Sequence, residues 1–333
     1  MFSSFRPLVA FACALFATQT LAPTALASGH IDACTLIATP QGTFNGVQYI
    51  RYEALFEGVT SHQHPYRVPC QIVAPLHPCQ GSGVLLFDWL VASTIFTAVG
   101  QEQADARYGM TDAFLFGTGA AYATVRCDPL GIGARSPVAS PFRPWSDGQL
   151  DTSSEFIVSA GDEFDIVVDY VRALRTDLVA RQCLGPIHRR AAFGYSASGS
   201  KLRGLLRLPI GRGLFDFSLV GGTGDGFDRP VGNVIDHSNV ERAPLNGAGL
   251  EIDFQTETDV IALNAHRTRH TESNYRVYQF AGAAHIRSID CVEFGLPDPL
   301  TANTADWTPF IRALFVAGNR WCGGILPPPS LWL

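Results

Sequence analysis

The sequence predicts a mostly parallel, doubly wound α/β sheet with helices on both faces. Short apolar runs recur along the chain between turn signals, as expected for strands that are buried on both faces. Segments with helical periodicity alternate with these runs. The composition is 47% hydrophobic and 16% charged, which suits a large core and excludes a disordered chain.

Six apolar runs have the length and the flanking turn residues that are typical of buried strands. In chain order they cover residues 83–90, 120–127, 189–195, 215–222, 250–256 and 275–282. The segment 47–56, which reads VQYIRYEALF, alternates apolar and polar residues instead. That alternation predicts an antiparallel strand at the edge of the sheet.

The clearest helical pattern covers residues 161–180. Acidic residues crowd its first turns, where they complement the helix dipole. Its apolar positions fall on one face and comprise Phe164, Val167, Val168, Val171 and Leu174. The Gly- and Pro-rich stretches 128–148 and 221–233 read as loops, and no shift in composition divides the chain. Residues 28–333 are therefore predicted to form a single domain.

The first 27 residues have the three parts of a secretory signal peptide. Arg6 precedes an apolar stretch from Leu8 to about Phe16, and the small-x-small site Ala25-Leu26-Ala27 follows. The apolar stretch is shorter than the roughly 20 residues that a membrane span requires. We therefore expect cleavage after Ala27 and a secreted or periplasmic mature protein.

Removal of Cys13 with the signal leaves seven cysteines, at positions 34, 70, 79, 127, 183, 291 and 322. In an oxidising compartment most of them should be paired, and an odd number leaves at least one thiol over. The spacing suggests Cys70 with Cys79 and Cys291 with Cys322, although spacing alone does not fix connectivity.

Charge and histidine spacing argue against several binding functions. The formal net charge is −6, and the 24 Lys and Arg residues are scattered, so nucleic acid is not an expected partner. The pairs His62/His64 and His266/His270 lack the additional residues of a zinc motif, and no CxxC-type spacing occurs. We expect neither a metal nor an organic cofactor.

The segment 193–201, FGYSASGSK, has the arrangement of a nucleophile elbow. An apolar strand leads to Ser196, which has Gly194 before it and Ser198 after it, and leucines at helical spacing follow. Small neighbours are needed because the nucleophile occupies a strained turn. A helix that begins after Ser196 directs backbone N–H groups toward a developing oxyanion, so the Ala197 N–H is the expected donor.

An acid and a histidine follow in the chain order that such hydrolases use. The run LEIDFQTETDV ends a predicted strand just before Glu257 and Asp259, and YRVYQFAGAAH ends the next one before His285. Since each candidate follows a different strand, a parallel sheet would bring them to one edge.

The stretches GYSASG, FQTETDV, FAGAAH and VLLFDWLVAS together resemble the α/β-hydrolase superfamily, in particular a sparsely characterised branch of α/β-hydrolase-domain proteins. The resemblance extends from about residue 40 to 320. Ala197 stands where that branch tends to have Gln, and RCDPLGIG replaces a different loop. Either departure could alter substrate choice without changing the triad.

The resemblance implies an α/β-hydrolase fold and an ester-hydrolysing enzyme with Ser196 as nucleophile and His285 as base. Aligning Thr256 with the glycine of the superfamily's G-x-x-D strand end makes Asp259 the acid, with Glu257 as the alternative. The second oxyanion donor should follow the strand GVLLFDWL, where we prefer Leu90 to Trp89.

The sequence thus predicts a secreted serine hydrolase that cleaves carboxylic esters through an acyl-enzyme. Its substrate would be a small or a polymeric ester, and no membrane span is expected. Depolymerisation of an extracellular polyester and acyl transfer to an alcohol are alternatives within the same chemistry. A non-catalytic binding protein that retains the fold is an alternative of another class.

Overall fold

The computed structural model describes residues 29–90, 112–127, 162–223, 249–262, 273–283, 307–327 and 329–330. Ten strands among them form one sheet. They are β1 His30–Ile31, β2 Ile37–Phe44, β3 Val47–Val59, β4 Pro65–Pro75, β5 Val84–Leu90, β6 Ala121–Arg126, β7 Arg189–Tyr195, β8 Phe217–Gly221, β9 Leu250–Thr256 and β10 Tyr275–Phe280. The α-helices are α1 Asp112–Gly117, α2 Glu163–Thr176, α3 Leu178–Leu184, α4 Ala197–Arg207, α5 Glu257–Ala262 and α6 Thr308–Cys322.

The strand order is β1-β3-β4-β6-β5-β7-β8-β9-β10, and β2 pairs with β3. The run from β6 to β10 is parallel, whereas β1 to β4 pair antiparallel. The predicted doubly wound and mostly parallel sheet is therefore confirmed. Because β6 lies on one side of β5 and β7 on the other, the winding reverses at β5, and ligands of such sheets bind at the carboxyl ends of the strands beside this reversal.

The six predicted apolar runs correspond to β5 through β10. The segment 47–56 lies in β3, which is antiparallel as predicted, but its assignment to the sheet edge is wrong. Strands β1 and β2 pair with β3 on one side and β4 pairs on the other. Residues 53–56 of β3 are buried on both faces, so the alternation of residue types indicates neither an exposed face nor an unpaired edge there.

The predicted helix 161–180 is two helices in the structure. Helix α2 ends at Thr176, and the side chain of Asp177 accepts a hydrogen bond from the Ala180 N–H, which caps the start of α3. The predicted apolar face of α2 is buried, as are most of its other residues. Apolar periodicity continues across the break, which is why the sequence pattern did not reveal it.

Each face of the sheet has its own apolar core. Helices α2, α3 and α4 cover one face, where Phe87, Tyr170 and Leu205 are buried. Helices α1 and α6 cover the other, where Phe254 and Phe315 are buried. No helix among the described residues is long and apolar enough to cross a membrane.

The predicted disulfide between Cys70 and Cys79 is not formed. Cys70 is buried in β4, where burial raises the pKa of its thiol, and Cys79 is exposed in the 3-10 turn beyond the end of that strand. The five steps along the strand from Cys70 to Pro75 span about 16 Å, whereas the Cα atoms of a disulfide lie roughly 4.4–6.8 Å apart. Cys291, the predicted partner of Cys322, lies outside the described residues.

Helix α2 also buries an acidic side chain against β4. Asp169 is 8% exposed and accepts a hydrogen bond from the Tyr66 hydroxyl at 3.1 Å. Burial raises the pKa of Asp169 from 3.8 to about 6, although the Tyr66 hydrogen bond opposes the shift. Since the folded protein then binds a proton more tightly than the unfolded chain, this group lowers stability as the pH rises from about 4 to 6.

Asp169→Asn is therefore expected to raise the free energy of unfolding at pH 7.5 by about 2 kcal/mol, because the amide is buried without a charge. Near pH 4 the two proteins should differ much less, since Asp169 is then protonated in the folded state. Urea unfolding of both proteins at pH 4 and pH 7.5 measures the difference. The same stability gap at both pH values would show that Asp169 does not titrate in this window.

Candidate active site

Ser196 occupies a strained turn between β7 and α4. Its backbone angles are φ 59° and ψ −125°, a combination that L-residues rarely adopt. The Ser196 N–H donates to the carbonyl of Gly221, the last residue of β8, at 2.9 Å. The residue is 7% exposed. A strand, a strained serine and a helix are the structural context of a nucleophile elbow.

Close backbone approach explains two of the glycines in this turn. A Cβ atom on Gly194 would lie 2.7 Å from the Ser198 carbonyl oxygen. A Cβ atom on Gly199 would lie 2.5 Å from the Gly221 carbonyl oxygen and 2.5 Å from Cγ2 of Thr223. The first turn of α4 therefore approaches the end of β8 most closely at position 199. A side chain is excluded at that position, and not at position 198.

Ser198 has a structural function that glycine could not provide. Its hydroxyl accepts from the Tyr195 N–H and donates to the Tyr195 carbonyl, both at 2.9 Å. The Tyr195 ring stacks on Phe254 and packs against Trp307, with centroid distances of 5.8 and 5.1 Å. Both the backbone and the side chain of the residue before Ser196 are thus held in place.

The two predicted oxyanion donors lie at neighbouring strand ends. Ala197 is the first residue of α4, and the first N–H groups of a helix have no acceptor within the helix itself. Leu90 ends β5, and Asp88 is in register with Phe193, which places the ends of β5 and β7 level at about 4.8 Å spacing. The side chain of the alternative, Trp89, is buried against Phe164.

Asp259 is buried beside the end of β9. It is 0% exposed, and its Oδ2 atom accepts from the Thr256 N–H at 2.7 Å and from the Thr256 hydroxyl at 2.8 Å. The Thr256 hydroxyl is in turn 3.3 Å from the Asp259 N–H. The residue that superfamily alignment equates with a strand-end glycine therefore fixes the carboxylate in position.

Glu257, the alternative acid, is exposed and has a different partner. Its Oε2 atom accepts from the Gly282 N–H at 2.6 Å, and its own N–H donates to the Ala283 carbonyl at 3.1 Å. Both bonds join the start of α5 to the turn that follows β10. The two carboxylates are therefore directed to different parts of the same edge.

His285 lies outside the described residues, but the strand that leads to it is well placed. Thr256 is in register with Phe280, so β9 and β10 end level with each other. The ends of β7 and β9 are two strand spacings apart, about 10 Å, on either side of β8. The described chain continues past β10 to Ala283, two positions before residue 285.

No cluster of three or more potential metal ligands occurs among the described residues. His62 and His64 both approach Asp162, with nitrogen–oxygen distances of 3.5 and 2.9 Å. His266 and His270 lie outside the described residues.

The family follows from a match between the sequence and a protein-family model. Residues 50–333 match the model described as "Alpha/beta hydrolase domain". The chain belongs to this family. The resemblance inferred from the elbow and strand-end motifs is confirmed, and no curated protein matches this alpha/beta hydrolase-domain chain significantly.

Several solved structures are similar to this alpha/beta hydrolase-domain protein at low identity. The siderophore hydrolase EstB from Aspergillus nidulans is 12% identical, with 75% of this chain and 97% of that chain covered and a TM-score of 0.39. The Pyrobaculum calidifontis esterase is also 12% identical, with 78% and 83% covered and a TM-score of 0.44. At this distance the similarities do not bear on substrate or mechanism.

Proposed function

We propose that this alpha/beta hydrolase-domain protein is a secreted serine hydrolase that cleaves carboxylic esters through Ser196, His285 and Asp259. The strained turn at Ser196 carries the proposal. A serine held at φ 59° between a central strand and a helix presents its hydroxyl at the carboxyl edge of the sheet, where ligands of this fold bind. Backbone strain of this kind persists where the surrounding structure enforces it, commonly at functional sites.

In the proposed mechanism, His285 takes the proton of Ser196 as the serine oxygen attacks the ester carbonyl carbon. The tetrahedral oxyanion accepts hydrogen bonds from the Ala197 and Leu90 N–H groups, each worth about 3 kcal/mol in a dry site. His285 then protonates the leaving alcohol, and an acyl-enzyme remains. A water molecule, deprotonated by His285, releases the acid and restores Ser196.

Asp259 is the proposed acid because it is buried and fixed. A carboxylate that orients imidazole must hold one geometry through the reaction, and two hydrogen bonds from Thr256 restrain Oδ2 of Asp259. Glu257 is exposed and its carboxylate is engaged with the Gly282 N–H. These contacts support Asp259 as the catalytic acid. They suggest that Glu257 has a structural role, in which it stabilises the turn after β10.

Fluorophosphonate labelling and ester hydrolysis test the proposal together. The mature wild-type chain should be labelled at Ser196 and should hydrolyse p-nitrophenyl esters, whereas Ser196→Ala should do neither. Ser200→Ala is the matched control, because it removes a nearby hydroxyl that has no hydrogen-bond partner within the described part of the chain and leaves the proposed nucleophile. Folded wild-type protein that resists labelling would instead support a non-catalytic binding protein.

Two further measurements separate the alternatives within this chemistry. Product analysis with an added alcohol distinguishes an acyltransferase, which would form a new ester, from a hydrolase. Release of soluble monomer from an insoluble polyester would identify a depolymerase. For the proposed secretion, N-terminal sequencing of the exported chain should find Ser28 as the first residue.

The assignment of the acid gives a sharper prediction. Asp259→Asn should lower kcat/KM by about 10³- to 10⁴-fold, because the amide favours the wrong imidazole tautomer. Glu257→Gln should leave kcat/KM within about threefold, because the amide oxygen can still accept from Gly282. Steady-state kinetics of the two isosteric variants make the comparison. The reverse ranking would make Glu257 the acid.

A further inference from the structure

A buried polar network lies beneath the candidate site, on the face of the sheet that α4 covers. The Asp253 carboxylate, on β9, is 1% exposed. Its Oδ2 atom accepts from Nη2 of Arg203 at 2.7 Å and from the Tyr275 hydroxyl at 2.7 Å. Its Oδ1 atom accepts from Nε2 of Gln255. We call these four residues the Asp253 network.

The Asp253 network joins three elements, α4, β9 and β10, that adjoin the segments of the proposed triad in sequence. Arg203 lies on α4, seven residues after Ser196. Asp253 and Gln255 lie on β9, which ends just before the turn of Asp259. Tyr275 is the first residue of β10, the strand that leads toward residue 285. One carboxylate therefore restrains all three elements relative to one another.

The same network reaches the backbone of the elbow. The Oε1 atom of Gln255 accepts from the Thr223 N–H at 3.2 Å. Thr223 packs so closely on Gly199 that a Cβ there would lie 2.5 Å from Cγ2 of Thr223. Gly221, two residues earlier, accepts from the Ser196 N–H. A continuous set of contacts thus connects Asp253 with the turn that holds Ser196.

Stability alone is a weak reason to bury these charges. Desolvation of an ion pair offsets much of its attraction, and apolar residues of similar volume often stabilise a core as well. Unlike apolar contacts, hydrogen bonds between charged groups fix both the distance and the direction between the elements that they join. A misplacement of about 1 Å between reacting groups can cost roughly 100-fold in rate, so this directional restraint matters most for the relative position of catalytic groups.

We propose that the Asp253 network positions Ser196 relative to Asp259 and His285, so that Arg203, Asp253, Gln255 and Tyr275 are positioning residues for ester hydrolysis. This inference rests on the proposed function. It assigns no contact with substrate to these residues. Their effect on the reaction passes through α4, β9 and β10.

The chain supplies a matched control one helical turn farther from Ser196. Arg207 and Glu251 form a second ion pair between α4 and β9, with nitrogen–oxygen distances of 2.6 and 3.1 Å. Its side chains are 0% and 1% exposed, as are those of Arg203 and Asp253. The two pairs share chemistry, burial and flanking elements, and they differ in their distance from the elbow.

The experiment compares Tyr275→Phe and Arg203→Lys with Arg207→Lys and Glu251→Gln. For each variant, thermal unfolding gives Tm, p-nitrophenyl ester hydrolysis gives kcat and KM, and fluorophosphonate labelling gives the rate of attack by Ser196. Variants of the Asp253 network should lose about 10- to 100-fold in kcat and in labelling rate with KM unchanged. The Arg207 and Glu251 variants should lower Tm at least as much as the variants of the Asp253 network do. Their kcat should stay within about threefold of the wild-type value.

Tyr275→Phe keeps every charge of the network, so it provides the measurement if Arg203→Lys does not fold. If kcat fell in proportion to the fall in Tm, and to the same extent in both groups of variants, the positioning function would be overturned. If Tyr275→Phe had wild-type kinetics while Ser196→Ala was inactive, the positioning function would also be overturned. The proposed function as a serine hydrolase would then remain intact. A wild-type chain that is neither labelled nor active would overturn both proposals.

Discussion

Ser196→Gly is expected to abolish ester hydrolysis and to make the protein more stable. Strain at a non-glycine residue with unfavourable φ and ψ costs about 1–3 kcal/mol, and glycine adopts such angles without this strain. The greater chain entropy of glycine in the unfolded state offsets about 0.4–1 kcal/mol. The net increase in the free energy of unfolding should be about 1 kcal/mol.

Urea unfolding and ester hydrolysis of wild type, Ser196→Gly and Ser196→Ala measure both effects. Ser196→Ala separates them, because alanine removes the hydroxyl and retains the strain. Both variants should lose at least about 10⁴-fold in kcat/KM, and only the glycine variant should gain stability. If Ser196→Gly were less stable than Ser196→Ala, the turn would not be strained as described.

Gly199→Ala should lower the stability of the protein strongly, although it adds only one methyl group to α4. The new Cβ would lie 2.5 Å from the Gly221 carbonyl oxygen, which is backbone and cannot move aside as a side-chain tip can. Relief requires that α4 separate from β8, at a cost of about 2–3 kcal/mol. Because that movement would displace the elbow, kcat/KM should also fall by about 100-fold.

Ser200→Ala is the control for Gly199→Ala. Ser200 is the next residue of α4, is 0% exposed, and its hydroxyl has no hydrogen-bond partner within the described part of the chain. Loss of this hydroxyl should change the free energy of unfolding by less than about 1 kcal/mol. Thermal unfolding and kcat/KM of both variants provide the comparison. A Gly199→Ala protein as stable and active as Ser200→Ala would contradict the close approach of α4 to β8.

Much of the fold could be predicted because strands buried on both faces produce continuous apolar runs. The prediction failed at β3, where alternating residue types were taken to indicate an edge strand although β3 is paired on both sides. It also missed β4, which contains three prolines, at 65, 69 and 75. Proline argues against a strand in a sequence, yet β4 pairs with both β3 and β6.

The positions of Ser196 and Asp259 could be inferred from strand order, since each follows the end of a parallel strand. Their supporting contacts could not. Glu251, Asp253 and Gln255 interrupt a run that otherwise reads as an apolar strand, and Arg203 and Arg207 lie about 50 residues away in sequence. Only the structure, in which the Arg203 and Arg207 side chains extend from α4 to β9, shows that these charges are paired. The suggested Cys70–Cys79 bridge failed for a similar reason, because nearness in sequence does not imply nearness along an extended strand.

The hydroxyl of Ser198 affects how proteins of this kind are found. A search that requires glycine two positions after the nucleophile would pass over this chain, although its turn is closed by two hydrogen bonds that glycine lacks. Patterns that admit serine there, and that demand a small residue one position later, would recover sequences whose elbows are built in the same way.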